Sequence, residues 1–333
     1  MKNKAIIFIL SVLLVAGIVY AQQPGGQGQY TRENFPTATS SAAKVISLDL
    51  KENITNTLGS DVEVEVLKNV VYVDRNGTNL HVHILYPKGV SGVLPCIVYV
   101  PGSAWMKQNI DMGIPNMTRL AANGFVVAIV EYRPSIIGKF PSQVQDAKTA
   151  IRFMRKNAGQ YHVDINNIFI WGDSSGGHTA LFVGFTQGNQ ELDTDAYSDY
   201  SDKVNAVVNY FGPSELAKMA DYPSMMNHSL ANAPEGLLIG GAVPENPETA
   251  RKASPVYYAT SQALPVFMAH GDRDILVPLN QSDLVAEALD KVGVHYEYYC
   301  LLGAGHGGRE FWSDEILVKV LAFLKQYTVK SNN

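Results

Sequence analysis

The sequence predicts an α/β fold, a mostly parallel sheet with helices on both faces, entered through an antiparallel hairpin. Three observations predict it. From residue 62 onward, short apolar runs of strand length alternate with segments of helical period. The first two runs flank Asn76-Gly77, a pair suited to the tight turn of a hairpin. Later runs, such as residues 168–171, are continuously apolar, as strands covered on both faces are.

Taken in order, residues 64–73 and 80–86 form the hairpin and residues 96–100 a short buried strand. A helix near 115–123 stops at Gly124, and 125–130 is the next strand. Pro141 opens a helix whose Val144, Ala147, Ile151 and Met154 share one face. The strand at 168–171 runs into a helix carrying Ala180, Leu181, Val183 and Phe185. Strands follow at 204–210 and 266–269. A helix bears Leu284, Val285, Ala288, Leu289 and Val292, then come a strand at 294–302 and a closing helix at 311–327. Residues 211–258, rich in Pro, Tyr and Met, read as an insertion over the sheet's carboxyl edge, where substrates bind in such folds.

The chain of 333 residues is 46% hydrophobic and 17% charged, with net charge −5. This suits a globular enzyme and argues against a nucleic-acid partner. Residues 1–21 read as a secretory signal peptide: Lys2 and Lys4, an apolar stretch, then small residues up to Ala21. The expected location is therefore periplasmic or secreted, with no membrane partner after cleavage. Residues 22–60 form a linker and N-terminal segment, polar and Gly-rich at first, where Leu48, Leu50, Ile54 and Leu58 are candidates for docking. Residues 61–330 form the catalytic domain. Cys96 and Cys300 fall in strands that would not be neighbours, so two buried free thiols are expected.

The strand–turn–helix at 168–178 contains Gly172-Asp173-Ser174-Ser175-Gly176-Gly177-His178. A serine at such a turn is held exposed by backbone strain, and flanking glycines remove side-chain collisions. Its hydroxyl needs a base, and the base needs an acid to fix its tautomer. Two later loops, each just past a strand, supply candidates: His270-Gly271-Asp272-Arg273-Asp274 and Gly303-Ala304-Gly305-His306-Gly307-Gly308. Ser174 is the expected nucleophile, His306 the base and Asp274 the acid, with Asp272 as the alternative acid. His270 is expected to brace the acid loop, and His178 to pack against a neighbouring strand. Oxyanion donors are expected from the amide of Ser175 and from Pro101-Gly102-Ser103-Ala104-Trp105, with Ser103 first and Ala104 next. Trp105 is a candidate substrate-binding side chain, core packing being the other reading. Arg133, in Tyr132-Arg133-Pro134, is read as a structural ion pair and Asp173 as a pin for the turn. No metal-ligand spacing and no dinucleotide-binding glycine pattern occur, so no cofactor and no metal are expected.

These motifs resemble those of the α/β-hydrolase serine esterases. Within that fold the chain is most similar to bacterial carbohydrate esterases that remove acetyl or feruloyl groups from xylan, with the hormone-sensitive-lipase-like esterases as close relatives. The resemblance covers residues 62–328. It implies the chain order Ser, Asp, His and a serine carboxylesterase acting on small esters or acylated carbohydrates. One departure stands out: Pro101-Gly102-Ser103 replaces the usual His-Gly-Gly, and proline supplies no N–H. The alternatives are a prolyl-oligopeptidase-type peptidase and a catalytically silent binding module. The first usually needs a large N-terminal gating domain, which about sixty residues cannot build. The second would be expected to lack a member of the Ser-His-Asp set.

Overall fold

The computed structural model describes residues 43–46 and 54–330. The expected signal peptide, the 22–34 linker, Leu48 and Leu50 lie outside the described residues.

The hairpin forms as its turn chemistry dictates. Strands β2 (Val64–Arg75) and β3 (Thr78–Pro87) meet at Asn76 and Gly77, both at positive φ (54° and 86°). Asp74 Oδ1 accepts the Gly77 amide and tightens the bend. After it come β4 (Leu94–Val100), β5 (Val126–Val130), β6 (Val163–Asp173), β7 (Val207–Tyr210), β8 (Val266–Gly271) and β9 (Tyr296–Leu301). A further strand, β1 (Lys44–Ile46), runs parallel to β9. The described residues form one nine-stranded sheet in the order β1-β9-β8-β7-β6-β4-β5-β3-β2. Among the described residues, only the β2–β3 and β3–β5 pairings are antiparallel.

Helices α1 (Ile114–Ala122) and α7 (Asp314–Gln326) cover one face, packing Met117, Leu120, Ile316 and Phe323 against Ile97, Phe169 and Phe267. The other face takes α2 (Ser142–Lys156), α3 (Ser175–Phe185) and α6 (Asn280–Val292), which bury Val144, Ile151, Leu181 and Val285 against Val98, Ile170 and Met268. Successive strand residues thus feed opposite cores, as the pleat requires. Between β7 and β8 lie α4 (Pro234–Ile239) and α5 (Pro247–Lys252).

Some boundaries differ from the sequence reading. β6 begins at Val163 because a register shift between Leu94 and Cys96 lets its polar start pair as well. The closing helix begins at Asp314, since the Ser313 side chain caps it by accepting the Ile316 amide. Cys96 on β4 and Cys300 on β9 are free and buried, with β6, β7 and β8 between their strands.

The register positions the site. β4 pairs with β6 in parallel, Val100 opposite Gly172. The chain leaves β4 toward β5 on one side and returns to β6 on the other. The turns after β4 and β6 therefore emerge side by side at the point where strand order reverses.

Candidate active site

Ser174 occupies φ 52°, ψ −127°, between the end of β6 and the start of α3. Few non-glycine residues adopt that conformation, and it persists because the surroundings leave no alternative. A Cβ on Gly176 would lie 1.9 Å from the Val100 carbonyl oxygen, and one on Gly172 would lie 2.1 Å from the Gly176 oxygen. The helix can approach the sheet this closely only with glycine at both positions.

The structure brings Ser174, His306 and Asp274 into one chain of contacts. His306 Nε2 lies 2.9 Å from Ser174 Oγ, and His306 Nδ1 lies 2.7 Å from Asp274 Oδ2. Asp274 is buried, and its Oδ1 accepts the amides of Leu276 and Val277, each at 2.9 Å. Burial would raise its pKa, but His306 and His270 reverse that and hold it well below the usual carboxylate range. Burial would likewise depress His306, yet the charge and hydrogen bond of Asp274, helped by Asp173, keep its pKa above the ordinary value. The Phe211 ring, 4.7 Å from the His306 ring and edge-on to it, supports the imidazole from the side.

Asp272 faces elsewhere. Its Oδ1 accepts the Gly303 amide at 2.6 Å and so holds the loop that carries His306. His270 braces the acid loop: Nε2 lies 2.9 Å from the Val277 oxygen and 3.3 Å from Asp274 Oδ2, while Nδ1 contacts Ser282 Oγ at 2.8 Å. Arg133 forms a bidentate pair with the buried Asp146, Nε to Oδ2 at 2.8 Å and Nη2 to Oδ1 at 2.9 Å. Asp173 Oδ1 accepts the Tyr99 hydroxyl (2.6 Å) and the Gly102 amide (3.0 Å), which ties the β4 turn to the β6 turn.

The expected oxyanion donors need a correction. The Ser103 amide donates to Ser175 Oγ at 2.9 Å and is therefore engaged. Tyr132 secures this corner, its hydroxyl 3.2 Å from Ser175 Oγ, 2.9 Å from Ser103 Oγ and 3.0 Å from the Pro101 oxygen. Among the described residues, the amides of Ala104 and Ser175 carry no hydrogen bond to protein. Ala104 and Trp105 both take φ 54°, which turns the loop sharply. Ala104, ranked second from sequence, becomes the better donor.

Of the two readings open for Trp105, the structure favours core packing over substrate binding. The residue is 1% exposed and packs with Leu216, Leu238, Ile239, Val243 and Ala253. Its indole is core to the insertion and presents no surface to a substrate. His178, expected against a strand, instead contacts Trp105 and Ala253. Sequence reasoning missed the Tyr132 hydroxyl and the Ser175 side chain. The Tyr-Arg-Pro turn was the available signal, but it drew attention to Arg133.

The site can deprotonate a hydroxyl, hold the resulting imidazolium against a buried carboxylate, and offer two amides to a developing oxyanion. Among the described residues no group of three His, Cys, Asp or Glu side chains is arranged to hold a metal. No helix among them is long and apolar enough to cross a membrane.

A family model described as BD-FAE matches residues 82–289. The chain is 30% identical over 215 residues to Esterase LipC of Mycobacterium tuberculosis, covering 64% of this chain and 53% of that protein. The chain spans about half the length of the curated relatives it matches first. Of solved structures, the bifunctional GH43-CE protein of Bacteroides eggerthii superposes with a TM-score of 0.72 at 30% identity, covering 79% of this chain and 38% of that one. A truncated form of a carbohydrate esterase from gut microbiota superposes with a TM-score of 0.70 at 29% identity, covering 80% of this chain and 97% of that one. These likenesses and the sheet order make the fold that of the α/β-hydrolase esterases.

Proposed function

The chain belongs to the BD-FAE family, and from that premise we propose that it is an exported serine carboxylesterase that removes acyl groups from plant polysaccharides or their oligosaccharides. The observation that carries the reading is the run Ser174 Oγ, His306 Nε2 (2.9 Å), His306 Nδ1, Asp274 Oδ2 (2.7 Å). The carbohydrate esterase named among the solved neighbours supports the substrate class. The composition of residues 1–21 supports export.

In this mechanism His306 Nε2 takes the Ser174 proton as Oγ attacks the ester carbonyl. The new imidazolium is stabilised by Asp274, and the oxyanion by the amides of Ala104 and Ser175. His306 then gives its proton to the departing alkoxide, the alcohol leaves, and an acyl-serine remains. Water enters, loses a proton to His306 and attacks the acyl carbonyl. Collapse of the second tetrahedral intermediate returns the proton to Ser174 and frees the acid.

The test is Ser174→Ala, assayed on p-nitrophenyl acetate, acetylated xylan and methyl ferulate. Hydrolysis should disappear while the thermal melt stays cooperative. A fluorophosphonate probe should label the parent chain on Ser174. Persistent hydrolysis by the variant, or labelling elsewhere, rules the mechanism out. Turnover of p-nitrophenyl acetate without action on either plant substrate rules out the substrate class.

A further inference from the structure

His178 lies on the first turn of α3, one turn beyond Ser174, and is 1% exposed. Both ring nitrogens are engaged. Nε2 lies 2.9 Å from the Ala253 carbonyl oxygen, and Nδ1 lies 3.3 Å from Trp105 Nε1. An indole N–H only donates and a carbonyl only accepts. The ring must therefore carry its proton on Nε2 and present a lone pair at Nδ1. That is one tautomer of the neutral imidazole. Burial favours the same form, pushing the His178 pKa down to about 4 against the opposing pull of the Ala253 carbonyl.

The three groups joined here belong to three different parts of the fold. His178 is on the helix that follows the nucleophile. Trp105 immediately follows Ala104, the amide assigned to the oxyanion. Ala253 caps α5 within the insertion. The indole stands edge-on to the imidazole, ring centres 5.0 Å apart at 82°. The Trp105 carbonyl is held as well, by the Ser135 amide at 2.8 Å and the Ser135 hydroxyl at 3.2 Å. With Ala104 and Trp105 both at φ 54°, the direction of the Ala104 N–H depends on where Trp105 is anchored.

We propose that His178 is a positioning residue, a strut of fixed tautomer through which the 211–258 insertion holds the Ala104 amide on the oxyanion. The inference rests on the esterase reading above and adds a residue that touches no substrate. It assigns the insertion a part in transition-state stabilisation.

The two ring contacts can be separated by substitution. His178→Gln keeps a donor for Ala253 and loses the acceptor for Trp105. His178→Asn keeps an acceptor near the Nδ1 position and falls short of Ala253. On p-nitrophenyl acetate, His178→Gln should lower kcat roughly 10- to 100-fold with KM within about twofold. Affinity for a trifluoromethyl ketone, which mimics the tetrahedral intermediate, should fall in proportion. His178→Asn, which cuts the strut at Ala253, should lower kcat in the same way. Trp105→Phe removes the donor and should reproduce the His178→Gln defect, and the double variant should be no worse than either. Fluorophosphonate titration of Ser174 and a thermal melt accompany each variant. If His178→Gln does not fold, Trp105→Phe alone carries the comparison. Parental kcat in the folded Gln or Asn variant, or a defect confined to KM or to melting temperature, overturns the inference. A parent chain that neither labels at Ser174 nor hydrolyses the ester overturns the esterase reading instead.

Discussion

Asp274→Asn is the substitution whose effect the geometry specifies most fully. In the parent, Asp274 Oδ1 accepts two amides, from Leu276 and Val277, and Oδ2 faces His306 Nδ1. An asparagine has one oxygen to distribute. Two backbone donors fix that oxygen at the Oδ1 position, so the NH₂ group must face His306. A donor there demands a lone pair on Nδ1 and moves the ring proton to Nε2, where it points at Ser174 Oγ. The base is then blocked by its own proton, with every heavy atom nearly in place. The same exchange in a Ser-His-Asp enzyme of another fold lowers turnover about 10⁴-fold, which is about 5.5 kcal/mol of barrier. A loss of that order is expected in kcat for p-nitrophenyl acetate, with an unchanged melting profile. The pH profile gives a second readout. Protonated His306 cannot accept the serine proton, so activity falls as pH drops through its pKa. Asp274 keeps that pKa raised, and the acid limb of kcat/KM should lie above about 6.5 in the parent. In the variant it should move to lower pH. Asp272→Asn, which weakens the support of the Gly303 amide and leaves the Asp274–His306 contact in place, should cost far less turnover. A reversal, with Asp272→Asn crippled and Asp274→Asn within tenfold of the parent, would falsify the assignment.

Gly176→Ala drives a Cβ to 1.9 Å from the Val100 oxygen and should cost about 3 kcal/mol or more. Thermal melts should show a drop of roughly 6 °C or greater. Gly159→Ala, with nothing within 4 Å of its Cβ, should melt with the parent and serves as the control. Cys96 and Cys300, both pushed up to about 12 by burial, should be silent to a thiol reagent in the native protein. Both should react after denaturation without reductant, and a count below two would point to a disulfide.

What could be read from the chain divides along physical lines. Strands buried on both faces announce themselves as apolar runs, so the core strands and α1 to α3 were placed to within a few residues. β1 was not, because three residues carry no periodicity and its partner lies some 250 positions away. The Gly172 requirement was legible because its collision, with the Gly176 oxygen, is local in sequence, whereas that of Gly176 is with Val100 on another strand. Asp274 and His306 were legible as loops just past strands. The engagement of the Ser103 amide was not, since it depends on where a hydroxyl at position 175 meets a loop 72 residues earlier. Trp105 was ambiguous for a related reason. Whether an aromatic ring faces solvent or core is decided by what folds over it, and here that cover is the insertion.

The pairing of Lys44–Ile46 with Tyr299–Leu301 has a bearing on the order in which the molecule is assembled. Of the described strands, the one that closes this border of the sheet is made first, and the strand it lies against is made last. Until then β8 forms the border on that side, and its unpaired amides and carbonyls invite pairing with other chains. Completion of the sheet thus waits for β9. A chain trimmed past Ile46 would keep β9 as an open border and be prone to self-association.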